Sequence, residues 1–380
     1  MGLKEDLRSI IADYEQGKIK IGAIASHSAL DIFDGAIEEG FETVAFCQKG
    51  REKTYTKYFK AYREGNVIRG VVDHYYVYEK FADMLNEIEK LQSERIVIVP
   101  NRALSSYIPL DIIENTLTLP IFGNRRMLRI EEREEEKNYY WLLERAGIQS
   151  PEKVDKPEKI DALVMVKLPH AKKRLERGFF TAASFEEYSE KVDVLLKTGV
   201  ITKEDLKTAR IERYIIGPVF NLNFFYSPIS TGPGLELLGI DWRFETSLDG
   251  HVRLPANQQL TLNEKQKYPE YTVCGHNSAT LRESLLEKAF EIGEKFVEAS
   301  QKYYPPGIIG PFCLQTCVDK DLNFYVYDVA PRIGGGTNVH MNVGHPYGNA
   351  LWHERMSTGR RIAREIRIAL EKKKLELILT

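Results

Sequence analysis

The sequence has few cysteines, and none of them lies in a metal-binding or redox pattern. Only Cys47, Cys274, Cys313 and Cys317 occur in 380 residues, with no Cys-x-x-Cys pair and no suitably spaced histidine. Cys313 and Cys317 lie in a predicted strand, where side chains on one face repeat every two residues. We therefore expect four reduced thiols that pack as small apolar groups, and neither a zinc site nor a disulfide framework.

The sequence also lacks an excess of charge and a long hydrophobic run. Its 53 basic and 55 acidic residues nearly cancel, so the composition gives no reason to expect a nucleic acid or an anionic membrane as partner. No apolar run approaches the ~20 residues of a membrane-spanning helix. Residues 1–14 have the spacing of an amphipathic helix and not of a signal peptide. We expect a cytoplasmic protein that binds small molecules.

No repeat or low-complexity tract is visible, and the hydrophobic fraction of 43% is that of a globular protein. A chain of 380 residues is long enough for two or three units that share a core. We expect an N-terminal unit over residues 1–119 and a second over 120–380. The second unit divides into a smaller lobe, about 150–220, and a larger lobe, 221–380.

The N-terminal unit alternates predicted strands with helices. The strands are expected at 19–25, 43–47, 67–72 and 95–100, and the helices at 29–37 and 77–91. This alternation predicts an α/β fold with an open parallel sheet. Ligands collect at the carboxyl ends of such strands, where Ser26, His27, Ser28 and Asn101 lie. His27 is a candidate ligand contact, but a residue in such a loop can equally serve only to cap the next helix.

The remainder of the chain predicts an α+β arrangement. Basic residues near Arg125 suit a phosphate or an exposed surface equally. A buried strand that ends at Lys167 is followed by a basic loop, which is either a flap over phosphates or an exposed turn. The other predicted strands are 179–183, 211–217 with 220–226 returning antiparallel, 235–246, 271–274 and 309–317. The predicted helices are 130–146 with a solvated glutamate face, 184–198, 280–303 and 360–378.

Residues 325–338 carry the strongest signal for chemistry. A strand rich in aromatic and β-branched residues ends near Asp328, and Arg332 and the glycines 334–336 follow. A carboxylate, a guanidinium and exposed backbone N–H groups suit a metal-bound polyphosphate. The alternative is a glycine-rich surface turn in which Asp328 and Arg332 form an ordinary ion pair.

Taken in order, these pieces resemble the ATP-grasp ligases. The resemblance rests on a strand lysine (Lys167), a flap after it, a hinge strand of Glu-x-hydrophobic-hydrophobic form (212–216), two metal-ligand positions on adjacent strands (Gln315 and Asp328), and the Arg-x-Gly-Gly at 332–335. It implies an ATP-grasp domain over 120–380, preceded by an open parallel α/β domain, with ATP held between two lobes.

The sequence is similar in particular to the archaeal formate-dependent FAICAR synthetase family. The stretches that carry this similarity are 26–30, 122–129, 225–228, 249–255, 281–286, 305–315 and 360–366. The resemblance implies that formate attacks ATP to give formyl phosphate, which the 5-amino group of AICAR then captures. Such a step needs positioning and cancellation of phosphoryl charge, not a protein nucleophile.

Site residues follow from this resemblance by position. It implies catalytic roles for Lys167 and Arg332, and Mg²⁺ or Mn²⁺ at Gln315 and Asp328. ATP would contact Lys167, Gly178, Glu212, Arg213 and Ile215. AICAR or a similar ribonucleotide, with formate or another small acid, would contact His27, Ser28, Asn101, Ala103, Arg125, His276 and Asn277. Apart from the resemblance, the exposed-looking aromatic residues Tyr75, Tyr76, Tyr303 and Tyr304 would suit a subunit contact, and we expect a homo-oligomer.

The sequence departs from the family pattern at several of these positions. The family's His-Gly-Ser loop reads Asn101-Arg102-Ala103, and its asparagine before the Arg-Glu-Ser stretch is His276, or Asn277 if the loop shifts by one. The glycine-rich flap keeps only Gly178, the metal-site glutamate is Asp328, and Ala330 offers no ligand. Two alternatives therefore stay open: a paralogue that joins a different carboxylate and amine, and a nucleotide-binding relative with little turnover.

Overall fold

The computed structural model describes residues 3–65, 67–168, 179–263 and 272–380. The strands, numbered β1–β14 in chain order, are Lys20–Ile24, Glu42–Gln48, Tyr62–Glu64, Val67–Arg69, His74–Tyr78, Ile96–Ile98, Val164–Lys167, Phe179–Ala182, Arg210–Arg213, Val219–Tyr226, Leu235–Glu245, Val273–Ser278, Gly310–Val318 and Phe324–Ala330. The α-helices, α1–α13, are Leu3–Tyr14, Ala29–Glu38, Ile88–Ser93, Arg102–Tyr107, Leu110–Asn115, Tyr139–Arg145, Phe185–Lys197, Lys203–Lys207, Thr246–His251, Ala256–Gln259, Leu286–Tyr303, Pro346–Trp352 and Thr358–Glu371.

The N-terminal sheet is parallel and open, as the alternation of strands and helices predicts. Its order is β5-β2-β1-β6, and all neighbouring strands run in the same direction. The strand predicted over 67–72 does not join this sheet: among the described residues, β4 pairs with β3 in a separate two-stranded ribbon. The predicted helix over 77–91 is wrong: β5 ends at Tyr78, a 3-10 helix spans Phe81–Glu87, and α3 follows. The run of tyrosine and valine in β5 favours a strand.

The second half of the chain contains a three-stranded sheet, β8-β7-β9, and a five-stranded sheet, β12-β11-β10-β13-β14. Both are antiparallel. The expected hairpin of 211–217 with 220–226 is wrong, since β9 belongs to the smaller sheet and β10 to the larger one. Gly217 and Pro218 therefore connect two sheets.

The five-stranded sheet has one apolar and one polar face. Because side chains alternate along a strand, Leu222, Phe224 and Leu314 point into the core formed with α11. On the opposite face lie the polar side chains Asn221, Asn223, Asp241, Arg243, His276, Gln315 and Asp328. This polar face positions the candidate site.

Three predicted helices have different bounds in the structure. The expected helix over 130–146 is a 3-10 helix, Arg125–Glu131, and a separate α6. Helix α6 begins at Tyr139 because the Asn138 side chain accepts hydrogen bonds from the backbone N–H groups of Tyr140 and Trp141. The helix predicted over 280–303 begins at Leu286 after a 3-10 turn, and α13 ends at Glu371.

The C-terminal helix packs against the N-terminal unit. Helices α2 and α13 pack so closely at Gly35 that a Cβ there would lie 2.0 Å from the backbone nitrogen of Arg360. The absence of a side chain at Gly35 permits this contact. Residues of α2, α13 and the N-terminal strands form one continuous hydrophobic core. At the end of the chain, Thr380 exchanges backbone hydrogen bonds with Ile121.

All four cysteines are free thiols, and only Cys274 is exposed. Tyr75 is 39% exposed, but the other tyrosines expected at a subunit contact pack within the chain: Tyr76 stacks on Phe46 and Tyr78, and Tyr303 and Tyr304 contact Trp141. Among the described residues, no helix is both long and apolar enough to cross a membrane.

We expect the stability of the fold to fall as the pH rises through the range set by Asp31. This carboxyl group is fully buried on α2, and its burial raises its pKa to about 7. In the unfolded chain the Asp31 carboxyl ionises near pH 3.9. Between about pH 4 and pH 7 the folded state therefore binds more protons than the unfolded state, so the free energy of unfolding falls as the pH rises, by at most about 4 kcal/mol.

The measurement is urea unfolding of the wild type and Asp31→Asn at pH 5 and pH 8. Asparagine retains an oxygen that can accept from the Gly359 N–H, which now donates to Asp31 at 3.1 Å. The difference in free energy of unfolding between the variant and the wild type should shift in favour of the variant from pH 5 to pH 8. A difference that is the same at both pH values would contradict this account.

Candidate active site

A cavity of about 450 Å³ lies between the three-stranded sheet and the five-stranded sheet. Much of its lining is apolar or aromatic, including Met165, Ile215, Phe220 and Tyr327. Charged side chains join this lining: Lys167, Glu212, Arg213, Arg243 and Glu245. An apolar cleft with a few convergent polar groups is the usual form of a site for a nucleotide-sized ligand.

Lys167 is the buried cation of this cavity. Its ammonium group, at the end of β7, forms an ion pair with Glu212 on β9 and donates to the Tyr140 hydroxyl at 2.8 Å and the Tyr327 carbonyl at 3.0 Å. Its side chain is 4% exposed, and this burial lowers the pKa of Lys167 to about 8. Tyr140 donates in turn to Glu212 at 2.9 Å.

A β-bulge aligns the two predicted metal-ligand positions. Gln315 on β13 lies directly opposite Asp328 on β14, and the next pair is Thr316 with Val326. Tyr327 is thus the extra residue of the bulge, and its carbonyl oxygen is left to accept from Lys167. One irregularity therefore brings the lysine and the metal-ligand positions together.

Both metal-ligand positions adjoin arginines. The Gln315 amide oxygen accepts from the Arg243 guanidinium at 3.0 Å. The Asp328 carboxylate lies 3.8 Å from the Arg133 guanidinium. In the described part of the chain, no three His, Cys, Asp or Glu side chains cluster as a protein-only metal site. One carboxylate and one amide oxygen fit Mg²⁺ only if phosphate oxygens and waters complete its octahedral shell.

Arg332 lies beside this pair of strands and is 8% exposed. Its guanidinium bonds Glu131 at 2.5 Å and donates to the Ile333 carbonyl at 2.7 Å. Its Nε is buried without a hydrogen-bond partner among the described residues. The expectation of a solvated glutamate face is wrong for Glu131, whose side chain is 12% exposed.

The glycine run lies directly on the polar face of the five-stranded sheet. A Cβ at Gly334 would lie 2.6 Å from the Asn223 amide oxygen, and one at Gly336 would lie 2.1 Å from the Asp241 carboxylate. At Gly335 a Cβ would meet nothing within 4 Å. Two of the three glycines are therefore needed so that the loop can approach the sheet.

We expect Gly336→Ala to destabilise the protein and Gly335→Ala to leave its stability almost unchanged. Gly336 has φ −94° and ψ −3°, which suit any residue, so the cost comes from the contact with Asp241. Overpacking of this kind costs about 1–3 kcal/mol. Urea unfolding of the two variants tests this, and equal loss of stability in both would contradict the contact.

The loop after β1 reaches the same glycine run. The Ser28 hydroxyl donates to the Gly334 carbonyl oxygen, and Asn101 donates to the carbonyls of Ile24 and Ser26 at 2.8 and 3.0 Å. His27 is exposed, with φ +46°. The loop after β1, with His27 and Ser28, therefore adjoins the glycine run predicted to bind phosphate. Asn101 holds the loop after β1 in place.

Three predicted contacts lie differently. Ala103 is fully buried in an apolar core, which corrects its assignment to the substrate. Arg125 is also corrected: its guanidinium donates to the carbonyls of Ile113, Leu117, Leu119 and Thr380, so it ties the chain terminus to the fold. Asn277 also lies differently, because it pairs across the sheet with Trp242, on the face opposite His276. Arg213 lines the cavity, and its guanidinium pairs with Asp161 and Glu152. Gly178 and the loop before it lie outside the described residues.

Sequence reasoning missed Tyr140, Asp241 and Arg243. The signal for the last two was present, because Asp241, Arg243 and Glu245 alternate along one predicted strand and must share a face. Tyr140 gave no comparable signal, since its role depends on its contact with Lys167 from another sheet.

Comparison with known proteins agrees with this geometry. Residues 187–380 match a family model described as a domain of unknown function (DUF1297), and residues 21–154 match a protein of unknown function (DUF1246). The 5-formaminoimidazole-4-carboxamide-1-(beta)-D-ribofuranosyl 5'-monophosphate synthetase of Methanothermobacter thermautotrophicus is 42% identical over 380 residues, with 99% of each chain covered. The chain belongs to the FAICAR synthetase family.

Solved structures support the family and its fold. A crystal structure of an IMP biosynthesis protein PurP from Thermococcus kodakaraensis has a TM-score of 0.70 at 32% identity, covering 95% of this chain and 100% of that one. N5-carboxyaminoimidazole synthetase from Staphylococcus aureus, solved with ADP, has a TM-score of 0.55 at 14% identity and covers 84% and 73%. The FAICAR synthetase family member described here thus has the ATP-grasp fold.

Proposed function

We propose that this chain formylates AICAR to FAICAR with ATP and formate, through formyl phosphate. The observation that carries the proposal is that Lys167 reaches across the cavity to β14, the strand of Asp328, while the glycine run on the polar face of that sheet adjoins the loop of His27 and Ser28. The names of its relatives support the same activity. An acceptor loop and a triphosphate site must adjoin if an acyl phosphate is to pass between them.

The residues would divide the work as follows. ATP would lie in the cavity with its adenine on the apolar lining near Ile215 and its phosphates toward Lys167. Arg332 would neutralise the phosphoryl group that moves to formate. A bound divalent ion, held at Asp328 and Gln315, would neutralise further phosphate charge when present. The acceptor would lie against His27 and Ser28.

In the first step, a formate oxygen attacks the γ-phosphorus and ADP leaves. In the second, the AICAR amine attacks the formyl carbon, the carbon–oxygen bond to phosphate breaks, and the amine loses a proton. Lys167 and Arg332 assist by binding phosphate charge and by holding the reacting atoms in line.

Several finer assignments belong to this proposal. We propose Mg²⁺ or Mn²⁺ as the metal, a cytoplasmic homo-oligomer as the working form, and small molecules as the partners in place of nucleic acid or membrane. The proposed domains are 1–119 and 120–380, the latter holding a nucleotide lobe at about 150–220 and a metal lobe at 221–380.

The test is product analysis with the purified full-length chain. With ATP, Mg²⁺, formate and AICAR we expect equal amounts of ADP and FAICAR, and no FAICAR when formate is omitted. ADP release that requires a different acid or amine would favour a paralogue with another substrate, a reading to which the departures at 101–103 and His276 point. ATP binding without turnover on any acid and amine would contradict ligase activity.

A further inference from the structure

Glu131 joins two arginines that come from different parts of the fold. One of its carboxylate oxygens accepts from the Arg332 guanidinium at 2.5 Å, and the other lies 3.6 Å from Arg102 Nη1 on α4. The side chains of Glu131 and Arg332 are 12% and 8% exposed, and that of Arg102 is 30% exposed. Glu132 also pairs with Arg102, at 2.6 Å. Two adjacent carboxylates therefore hold Arg102, and one of them also holds Arg332.

The backbone that carries Glu131 is held from outside the site. Glu131 is the last residue of a 3-10 helix, whose apolar side chains, such as Leu128, are buried. The Asn124 side chain caps this helix and also donates to the carbonyls of Tyr304 and Gly307, both at 3.0 Å. The Glu131 carboxylate therefore has a defined position before any ligand binds.

The two arginines adjoin the two halves of the proposed site. Arg332 lies two residues before the glycine run. Arg102 follows Asn101, which donates to carbonyl groups at the end of β1 and in the loop after it. Glu131 thus contacts one cation next to the proposed phosphate loop and another next to the proposed acceptor loop. Because Arg102 stands where the family pattern has glycine, its contact with Glu131 is a feature of this chain.

A purely structural role explains this charged cluster poorly. Removing charged groups from water costs free energy, and their mutual attraction offsets that cost only in part, so buried ion pairs are weak evidence for stability. An arginine also loses rotamer freedom when its guanidinium is held in one place. When that freedom is lost before the substrates bind, less remains to be lost in the transition state. The cluster is therefore better explained by a role in the reaction.

We propose that Glu131 is a positioning residue, which holds the Arg332 guanidinium beside the phosphoryl group that passes from ATP to formate. Arg102 holds the second carboxylate oxygen of Glu131, so the position of Arg332 depends on the segment that supports the acceptor loop. The role rests on the proposed function and deepens it. Glu131 touches neither substrate and acts through Arg332. Its loss should lower turnover and leave ATP binding nearly intact, because Lys167 and the apolar lining of the cavity remain.

The first experiment compares Glu131→Gln with the wild type, as full-length chains with ATP, Mg²⁺, formate and AICAR. Glutamine has a similar shape but no charge, so it holds a guanidinium less strongly. We expect FAICAR turnover at saturating substrates to fall about 10- to 100-fold. The Kd for ATP, measured by equilibrium dialysis, should stay within about threefold of the wild type. A parallel loss of ATP binding would indicate a disturbed fold and would overturn the role.

A double-mutant cycle tests whether Glu131 acts through Arg332. Arg332→Lys keeps the positive charge but lacks the planar fork that a carboxylate orients. In that background Glu131→Gln should lower single-turnover FAICAR formation less than about threefold, because the group that Glu131 positions is already absent. The same fold loss in both backgrounds would show that Glu131 acts independently of Arg332, which is contrary to the proposal.

The matched control is Glu114→Gln. The Glu114 carboxylate is 14% exposed and pairs at 2.9 Å with Arg129 of the same 3-10 helix, and neither residue belongs to the proposed site. Its FAICAR turnover should equal that of the wild type. A loss as large as that of Glu131→Gln would assign the effect to the helix as a whole and not to the position of Arg332.

A crystal structure of Glu131→Gln with Mg²⁺ and a non-hydrolysable ATP analogue tests the role without an activity measurement. The Arg332 guanidinium should leave the position that it has in the wild type. If the variant does not fold, as judged by circular dichroism, Glu131→Asp takes its place, with a carboxylate drawn back by one methylene. An unchanged Arg332 would refute the positioning role alone, whereas a wild type that makes no FAICAR would refute the proposed function.

Discussion

Replacing Lys167 with methionine is expected to lower FAICAR formation and ADP release at least about 1,000-fold. The ammonium group of Lys167 would bind the phosphates inside a cavity, where the electrostatic attraction between a cation and a phosphate is much stronger than in water. Methionine fills a similar volume without the charge. Steady-state assays of both products at saturating ATP measure the effect. Turnover within tenfold of the wild type would remove Lys167 from the site.

The same substitution should also destabilise the fold, because it leaves the buried Glu212 carboxylate with only one of its two ion-pair partners among the described residues, Arg210. Breaking a buried pair costs about 3–5 kcal/mol. We expect the lower end, since Tyr140 and Arg210 still donate to Glu212, at 2.9 and 3.1 Å.

A double variant separates stability from chemistry. Lys167→Met with Glu212→Gln removes both charges, so urea unfolding should show most of the lost stability recovered while activity stays absent. If the double variant regained turnover, the inactivity of the single variant would reflect unfolding, and the lysine would have no part in the reaction.

Replacing Asp328 with asparagine is the second large effect, an expected loss of about 100- to 1,000-fold in turnover. Asp328 is the carboxylate of the predicted metal pair, and Gln315 opposite it is neutral. Without that charge, higher Mg²⁺ should be needed for half-maximal activity. Turnover measured against Mg²⁺ concentration gives both quantities.

Two further variants complete this test. Asp328→Glu restores the residue type usual in the family and should keep turnover within about tenfold of the wild type. Asp319→Asn is the control, because Asp319 lies in the turn between β13 and β14 and accepts from the backbone of Asp321 and Asn323. An Mg²⁺ dependence that is unchanged in Asp328→Asn would exclude Asp328 as a ligand.

The sequence predicted the strands better than the helices. Strands such as 19–25, 43–47 and 235–246 were confirmed because each is a short apolar or alternating run whose burial decides its conformation. The prediction of one helix over 130–146 was wrong because it relied on the high helix propensity of the glutamates. In the structure Asn138 caps a helix that begins only at Tyr139, and Glu131 forms an ion pair with Arg332 at the end of a separate 3-10 helix.

For the candidate site, the sequence predicted residues that short motifs bring together and missed those that depend on tertiary contacts. The placement of Gln315 and Asp328 on adjacent strands was implied by the resemblance to the ATP-grasp ligases, but the bulge at Tyr327 was not predicted. Arg125 looked like a phosphate ligand because a basic cluster does not reveal that carbonyl groups surround one of its members. Only the structure shows that His276, and not Asn277, faces the polar side of the sheet.

A crystal structure with Mg²⁺ and a non-hydrolysable ATP analogue tests the central claim most directly. We expect the adenine in the cavity near Ile215, phosphate oxygens within hydrogen-bond distance of Lys167, and the terminal phosphate between Asp328, Arg332 and the glycine run. An analogue bound away from this cavity, or with its phosphates directed away from these three groups, would contradict the account.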